Sequence, residues 1–481
     1  MAKVNPQLCA EVRETRLQRT KILLLLLAAV AGCASDTPAV VERPTGGTLV
    51  ISVGGDPETL LPPLATTTPG QIIGDLVYDH LAEIGDSLGT TGDGGYRPRL
   101  ASSWTWAADS MSIGFHIDPR ARWHDGNPVR ATDVAFTYQI YSNPINGSPF
   151  AAALTSIDSV VARDSLTAVF WFKSRSPNQF YDAVGTMYIL PRHVLAGIRG
   201  ADLRTSSLAR APVGTGRFRF VKWAAAQSIQ LAADTGNYRG RPNLDRVIMT
   251  IAPDFNTALA RLLGGEADVL EQVPAVNLHE IQANKSIAIT LTPGLEYFFL
   301  QLNLRSPHDR RRPHRLFADR ALRRALTMAV DRNSVVRSAY GPLAEVALGP
   351  TVRAYPTTDT TLVQIPFSPA SAARTLDSLG WKDTNGDGVR DRRDGPLEFD
   401  VEVPASSKAR NAMAVIIQEQ LRQVGVKMNI DRVDFAAFID REEKRDFDAV
   451  LGGWHVEASP GSVRQTWGSI GARQAGGTNY G

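Results

Sequence analysis

Cysteine is nearly absent from this chain of 481 residues, since only Cys9 and Cys33 occur. If an N-terminal segment that ends before Cys33 is removed on export, Cys33 is the one remaining thiol and no internal disulfide can form. Cysteine-based zinc clusters and a cysteine nucleophile deeper in the chain are excluded for the same reason.

Long apolar runs are also scarce. The candidate at residues 22–31 has ten residues, whereas crossing a bilayer takes about twenty. Basic residues precede this run and small residues follow it, which is the layout of a secretory signal. Residues 30–33, which span the end of this run, read Val-Ala-Gly-Cys and resemble the lipobox of bacterial lipoproteins. We therefore predict a signal peptide at residues 1–32, lipidation of Cys33 and a flexible tether at residues 33–45. An ordinary signal with an incidental cysteine is the alternative.

Excess charge of one sign is missing from the main body of the chain. Residues 1–32 contain five basic and two acidic residues, and the remainder contains 47 of each sign. We interpret the basic run at residues 310–315 as a solvated loop before a helix. Without a basic face, the sequence argues against nucleic acid as a partner and against binding to anionic membrane surfaces by charge.

Signatures of catalysis are missing as well. The chain has no Gly-x-x-x-x-Gly-Lys-Ser/Thr phosphate loop and no Gly-x-Ser-x-Gly nucleophile elbow. His279-Glu280 begins like a zinc-protease helix, but Ala283 stands where the second histidine ligand would be. We therefore predict that the protein is not an enzyme and uses no catalytic metal or cofactor.

One segment has oxygen-bearing side chains at the spacing of a calcium loop. Residues 383–394 offer Asp or Asn at loop positions 1, 3, 5, 9 and 12, with Gly388 at position 6. Asp394 stands where an EF-hand has a bidentate Glu, which shortens the reach, and a strand-like segment follows instead of a helix. We interpret the segment as a polar turn, and a structural calcium site is the alternative.

Strand-like and helix-like patterns alternate along the body. Residues 49–53 read as a short strand, and residues 319–331 read as a helix with one apolar stripe. A second apolar stripe between Met413 and Val424 predicts another helix, with Gly425 at its C-terminal cap. Strand alternation follows at residues 426–430. This order of elements is typical of an α/β fold.

An ordered set of short motifs covers the chain from about residue 46 to its end. Residues 123–128 read Trp-His-Asp-Gly-Asn-Pro, and residues 131–136 read Ala-Thr-Asp-Val-Ala-Phe. Other motifs lie at residues 96–101, 189–194, 212–216, 237–242, 262–268, 302–303, 323–331 and 447–454. In this order they resemble the solute-binding proteins of peptide/nickel-type ABC importers, the dipeptide- and oligopeptide-binding proteins of family 5.

The resemblance implies an α/β, two-lobed, periplasmic-binding-protein-like fold of type II, with an extra domain inserted in lobe I. Lobe I would comprise residues 46–81 and 211–293, and the inserted domain residues 82–210. Lobe II would comprise residues 294–481. Relatives continue beyond this point, so we expect the final lobe I segment to be missing from this sequence.

The resemblance also implies ligand-binding residues. In peptide-binding members, a Gly-Trp-x-x-Asp segment supplies a carboxylate for the N-terminal ammonium group of the peptide. The corresponding segment here is residues 453–457, in which Glu457 stands at the Asp position. The implied ligand-binding residues are Glu457, Trp454, His455, Asp56, Tyr297 and Tyr480. Glu457 as a solvent-exposed loop residue and Trp454 as a core residue are the alternatives.

The signature around His124 and Asp125 looks like a catalytic pair, but we interpret it as fold-defining. Asp125-Gly126-Asn127-Pro128 is a turn sequence, and Thr132 or Asp133 is expected to cap a helix that starts at Val134. No catalytic role is therefore assigned to these residues.

The predicted function is that of a monomeric, exported, lipid-anchored binding protein, periplasmic or at the cell surface. It would close about its hinge on di- or oligopeptides and deliver them to an ABC permease and ATPase complex. A non-peptide solute such as a sugar oligomer or metal chelate is the first alternative. A sensor without a permease is the second, and an exported hydrolase is the least favoured.

Overall fold

The computed structural model describes residues 45–271, 273–469, 472 and 479. The predicted signal peptide, Cys33, the tether up to residue 44 and Tyr480 lie outside these residues. The elements below all belong to one structural unit, Gly47–Gly481.

The described residues form strands of two to seven residues. In chain order they are β1 (Thr48–Val53), β2 (Ala82–Ile84), β3 (Tyr96–Pro98), β4 (Ala101–Trp106), β5 (Ser112–Ile117), β6 (Ile157–Ala162), β7 (Thr167–Phe172), β8 (Phe218–Ala224), β9 (Ser228–Ala233), β10 (Arg246–Ile251), β11 (Val269–Leu270), β12 (Glu296–Leu302), β13 (Asp391–Arg392), β14 (Gly395–Pro396), β15 (Glu398–Pro404), β16 (Lys427–Val433) and β17 (Ala449–His455).

Helices lie between these strands and in long connections. In chain order the α-helices of the described residues are α1 (Thr68–Val77), α2 (Ala131–Ser142), α3 (Gln179–Val184), α4 (Arg192–Leu195), α5 (Phe255–Leu263), α6 (Leu278–Ala283), α7 (Arg320–Ala329), α8 (Arg332–Tyr340), α9 (Pro369–Ser378), α10 (Lys408–Arg422), α11 (Phe435–Lys444) and α12 (Val463–Trp467).

The first sheet has the strand order β11-β1-β10-β9-β8. Strand β1 runs parallel to both of its neighbours, whereas β10, β9 and β8 are antiparallel. The strands come from two separate parts of the chain, before residue 54 and after residue 217.

A second sheet is built from the chain between those two parts. It has the order β4-β5-β7-β6, is antiparallel throughout and packs against α2. Its buried Phe115 and Phe170 belong to the same hydrophobic core as Val53 and Ile251 of the first sheet. The inserted segment is therefore joined to the first sheet by continuous apolar packing.

A third sheet, β12-β17-β15-β16, follows in the last part of the chain. Strands β12 and β17 are antiparallel, and β15 runs parallel to β17 and β16. Helices α7, α9 and α10 supply apolar side chains to a separate core on this sheet.

The predicted helical stripes of this core are confirmed. Asp319 caps α7, because its carboxylate accepts hydrogen bonds from the N–H groups of Ala321 and Leu322. The second stripe lies on α10, and Gly425 follows it with φ of 78°, as expected at a helix C-terminus. The predicted strand follows as β16.

The predicted start of the signature helix is wrong. Helix α2 begins at Ala131, three residues before Val134. Asp133 is thus the third helical residue, and its carboxylate accepts a hydrogen bond of 2.8 Å from the N–H of Arg130. The Asp133 carboxylate lies in the first turn and accepts from the residue before the helix, which stabilises the start of the helix.

No helix among the described residues is long and apolar enough to cross a membrane.

Candidate functional site

Glu457 lies just beyond the end of β17. The N–H of Val456 donates to the carbonyl of Leu295 and extends the β12–β17 pairing by one bond. The exposed Glu457 side chain then accepts a hydrogen bond of 3.1 Å from the hydroxyl of Tyr181 on α3. Tyr355 donates its hydroxyl to the backbone carbonyl of Glu457. Two tyrosines from different parts of the chain therefore hold this residue.

The pKa values of both tyrosines reflect this environment. Burial, and then the neighbouring Glu457 carboxylate, raises the pKa of Tyr181 above its ordinary value. The same two causes raise the pKa of Tyr355 to about 12. Both hydroxyls therefore stay protonated at neutral pH and act as donors toward Glu457.

Tyr297 and Trp454 lie opposite each other on β12 and β17. Tyr297 is buried, and its hydroxyl accepts a hydrogen bond of 2.7 Å from the indole N–H of Trp467. The Trp467 ring packs edge-on against Phe299 at 5.2 Å. Trp454 is half-buried and packs against the same group. These aromatic residues form a wall next to the Glu457 segment, and Trp454 is its half-exposed member.

Two glycines in β17 allow rings of β12 to pack over it, Phe299 on the side of the aromatic wall and Phe298 on the opposite side. A Cβ atom on Gly453 would lie 2.5 Å from the Phe298 ring, and one on Gly452 would lie 2.8 Å from the Phe299 ring. The rings therefore cross over the strand directly before Trp454. The Arg410 guanidinium lies 5.4 Å from the centre of the Phe298 ring. Burial lowers the pKa of Arg410.

His455 points away from the aromatic wall, because successive side chains of a strand face opposite sides of the sheet. Its Nδ1 lies 3.6 Å from the carboxylate of Glu296, and both side chains are largely exposed. This pair lies at the surface end of the β12–β17 ladder.

Asp56 lies in the turn after β1 and supports the β8–β9 hairpin. Its carboxylate accepts hydrogen bonds of 2.7 Å from the Trp223 indole and 2.6 Å from the N–H of Ala226. The Arg210 guanidinium lies over the Trp223 ring at 4.1 Å. Asp56 is therefore bonded within the first sheet. Glu457 is bonded instead to Tyr181 on α3 and to Tyr355 between α8 and α9.

The signature residues His124 and Asp125 have separate structural partners. The N–H of Gly214 donates to Nδ1 of His124, and Nε2 of His124 lies 2.9 Å from the carbonyl of Gly216. Asp125 pairs with His193 at 2.6 Å. Burial lowers the pKa of His124, which favours the neutral ring. The histidine therefore ties the signature turn to the segment that leads into β8.

The calcium-like segment uses its carboxylates within the loop. Asp383 accepts hydrogen bonds of 2.7 and 2.9 Å from the N–H groups of Gly386 and Gly388. Asp391 accepts from Thr384. In the part of the chain that the structure describes, no three His, Cys, Asp or Glu side chains are grouped to hold a metal ion.

Sequence reasoning missed Tyr181 and Tyr355 as partners of Glu457. Tyr181 is 276 residues away from Glu457, and Tyr355 is 102 residues away. Neither lies in one of the motifs that pointed to the ligand segment. Only the arrangement of the domains brings these hydroxyls together.

The described residues form two large hydrophobic cores on separate sheets, which is a two-lobed architecture. The chain matches the model of bacterial extracellular solute-binding proteins, family 5 Middle, over residues 95–471. It belongs to that family, and its fold is the two-lobed type II fold with an extra domain in the first lobe.

Relatives agree with this assignment. The chain is 27% identical over 461 residues to the oligopeptide-binding protein AppA of Bacillus subtilis, covering 93% of this chain and 82% of AppA. The structure of that AppA in complex with a nonapeptide superposes with a TM-score of 0.68, covering 91% of this chain and 84% of that one. The peptide transport periplasmic protein SapA of Salmonella typhimurium is 27% identical over 463 residues, covering 91% of this chain and 78% of SapA.

A more distant structure shows the same fold. NikA of Brucella suis, in complex with Fe(III)-EDTA, is 19% identical and has a TM-score of 0.76. The alignment covers 90% of this chain and 84% of that chain.

Proposed function

We propose that this protein is the peptide-binding component of an ABC importer. It captures di- or oligopeptides outside the cytoplasmic membrane, closes its two lobes on them and delivers them to a permease and ATPase complex. The names of AppA and SapA, which match over most of this chain, support peptides as the ligand class. Export with a lipid on Cys33 is part of the proposal and rests on the sequence alone.

The observation that carries the proposal is the position of Glu457. A carboxylate at the end of β17, beside a half-exposed Trp454, suits the N-terminal ammonium of a peptide. Such a charge-assisted hydrogen bond is strong when lobe closure excludes water. An extended peptide bound mainly through its own backbone would make side-chain selection loose.

Mass spectrometry of small molecules released from the purified protein tests this function. We expect a mixture of short peptides from the wild-type protein and much less from the Glu457→Gln variant. Asp440→Asn is the matched control, because Asp440 is an exposed acid that pairs with Lys444 on α11. A single non-peptide mass would contradict the peptide ligand, and equal peptide yields from all three proteins would contradict the role of Glu457.

A further inference from the structure

The inserted domain reaches the predicted ligand carboxylate through one side chain. Tyr181 lies on α3 of that domain and is nine-tenths buried. A Cβ atom on Gly185 would lie 2.7 Å from the Tyr181 ring, so the ring packs across the glycine one turn later. This packing fixes the direction of the hydroxyl, which meets Oε2 of Glu457 at 3.1 Å.

The residue before α3 contacts the same segment. The Ser459 hydroxyl lies 3.4 Å from Oδ1 of Asn178. A Cβ atom at Gly461 would lie 2.8 Å from Nδ2 of Asn178, so the backbone passes this side chain closely. On its other side, the segment is held by the Tyr355 hydroxyl, which donates to the carbonyl of Glu457 and lies 3.4 Å from that of Ser459. Residues 457–461 of lobe II are therefore held by the inserted domain on one side and by Tyr355 of their own lobe on the other.

The support from Tyr181 matters because the side chain at position 457 is longer than the aspartate of the resembling motif. Glutamate has one more rotatable bond than the aspartate of the resembling motif, and ordering a flexible side chain lowers binding affinity. A fixed phenol donor at Oε2 removes part of that freedom before a ligand arrives. It also leaves Oε1 as the oxygen that can accept from an incoming ammonium group.

We propose that Tyr181 is a positioning residue that prepares Glu457 to bind the ammonium group of a ligand, and so makes the inserted domain part of ligand selection. The inference rests on the proposed function, because it requires Glu457 to contact the ligand. It predicts that Tyr181 acts on ligands with a free N-terminal ammonium and has no effect on ligands without one.

The test uses two probes, a random-sequence pentapeptide library and the same library with acetylated N-termini. Dissociation constants are measured for the wild type, Tyr181→Phe, Glu457→Gln and the double variant. We expect Tyr181→Phe to weaken binding of the free-amino library about tenfold, as expected for the loss of a hydrogen bond to a charged group, and to leave the acetylated library unchanged. In the Glu457→Gln background the same substitution should have no further effect.

Tyr138→Phe is the matched control. It removes another hydroxyl of the inserted domain, which bonds the carbonyl of Ile157 at 3.2 Å. We expect Tyr138→Phe to change the unfolding temperature about as much as Tyr181→Phe does, and to leave the dissociation constants of both libraries unchanged. If Tyr181→Phe does not fold, Asn178→Ala serves in its place, because it removes the contact of Asn178 with residues 457–461. We then expect a smaller loss of affinity for the free-amino library.

The possible results separate the two proposals. If Glu457→Gln lowers binding while Tyr181→Phe behaves like Tyr138→Phe, or binds more tightly than wild type, the positioning role is overturned and the proposed function stands. If Glu457→Gln binds the free-amino library as well as wild type does, ammonium capture fails and the positioning role fails with it. An equal loss for both libraries in Tyr181→Phe would also overturn selection by the ammonium group.

Discussion

Oδ1 of Asp79 lies 2.8 Å from the guanidinium of Arg239. Asp79 is fully buried and lies two residues after α1, whereas Arg239 lies between β9 and β10. Arg99 pairs with the same oxygen at 2.7 Å, and the hydroxyls of Thr215 and Tyr238 donate to Oδ2 at 2.9 Å. One buried carboxylate therefore joins segments of the chain that lie before and after the second sheet.

Replacing Asp79 by Asn should strongly destabilise the fold. Two guanidinium groups on side chains only 10% and 20% exposed would lose their counter-charge. Breaking a buried ion pair by removing one partner costs about 3–5 kcal/mol. Denaturant unfolding measures the change in the free energy of unfolding. Asp86→Asn is the control, since Asp86 is 95% exposed and lies 3.6 Å from Arg97, and it should cost less than about 1 kcal/mol. Equal losses in the two variants would refute the structural role of Asp79.

Glu442 should make stability depend on pH near neutrality. Burial raises the pKa of Glu442 to about 7, Arg410 acts to lower it and Glu402 acts to raise it. The folded state therefore binds a proton that the unfolded state releases near pH 4.5, and stability falls as pH rises from that value to about 7. Through Glu442 alone, the free energy of unfolding falls by at most about 3 kcal/mol over this pH range.

The Glu442→Gln variant checks this pH dependence. It should show a smaller loss of the free energy of unfolding than wild type between pH 5 and pH 8, measured by denaturant titration at each pH. Glu443→Gln is a control on the same helix, at an exposed position. Parallel pH profiles for wild type and Glu442→Gln would show that the burial of Glu442 has no such effect.

Gly214 should tolerate no side chain. A Cβ atom there would lie 1.7 Å from the carbonyl oxygen of Val77, at the end of α1. We expect Gly214→Ala to prevent folding or to cost about 4 kcal/mol or more, since a backbone atom cannot yield as a side chain can. Gly236→Ala, where nothing lies within 4 Å of the added atom, should change stability by less than about 0.5 kcal/mol. Thermal unfolding of both variants gives the comparison, and a stable Gly214→Ala protein would contradict this close approach.

The loop at residues 383–394 should be supported by hydrogen bonds without calcium. Asp383→Ala removes two bonds to backbone N–H groups, and we expect a loss of about 1 kcal/mol. The loss should be the same with calcium and with a chelator. A wild-type unfolding temperature that rises with calcium, and does so only when Asp383 is present, would instead support a calcium site.

Local patterns predicted individual elements well. The strand at β1 and the helices α7 and α10 were predicted because their apolar residues recur at the period of one buried face. Gly425 marked a helix end for an equally local reason, because a glycine readily adopts the positive φ found there. The start of α2 was misplaced by three residues because the carboxylate of Asp133 bonds backward to Arg130, and the choice between these two directions is not visible in the residue order.

Contacts between distant segments were the part that residue order did not reveal. Glu457 was predicted as a ligand residue, but its hydroxyl donors Tyr181 and Tyr355 were not. Asp56 was expected to face the ligand cleft, and the structure shows its carboxylate bonded to Trp223 and Ala226. Its ligand role, like that of Tyr297, stays a prediction.

The amino-acid sequence by itself determined the family, the α/β character of the chain, its nearly neutral main body and the segment that contains Glu457. These properties depend on composition, on apolar residues that recur every two or about four positions, and on the order of motifs. Only the tertiary structure decided which hydroxyl faces which carboxylate, that Asp79 joins segments before and after the second sheet, and that residues 457–461 contact both the start of α3 and Tyr355. Such contacts join residues more than a hundred positions apart, so their geometry comes from the packing of whole domains and not from any local preference of the chain.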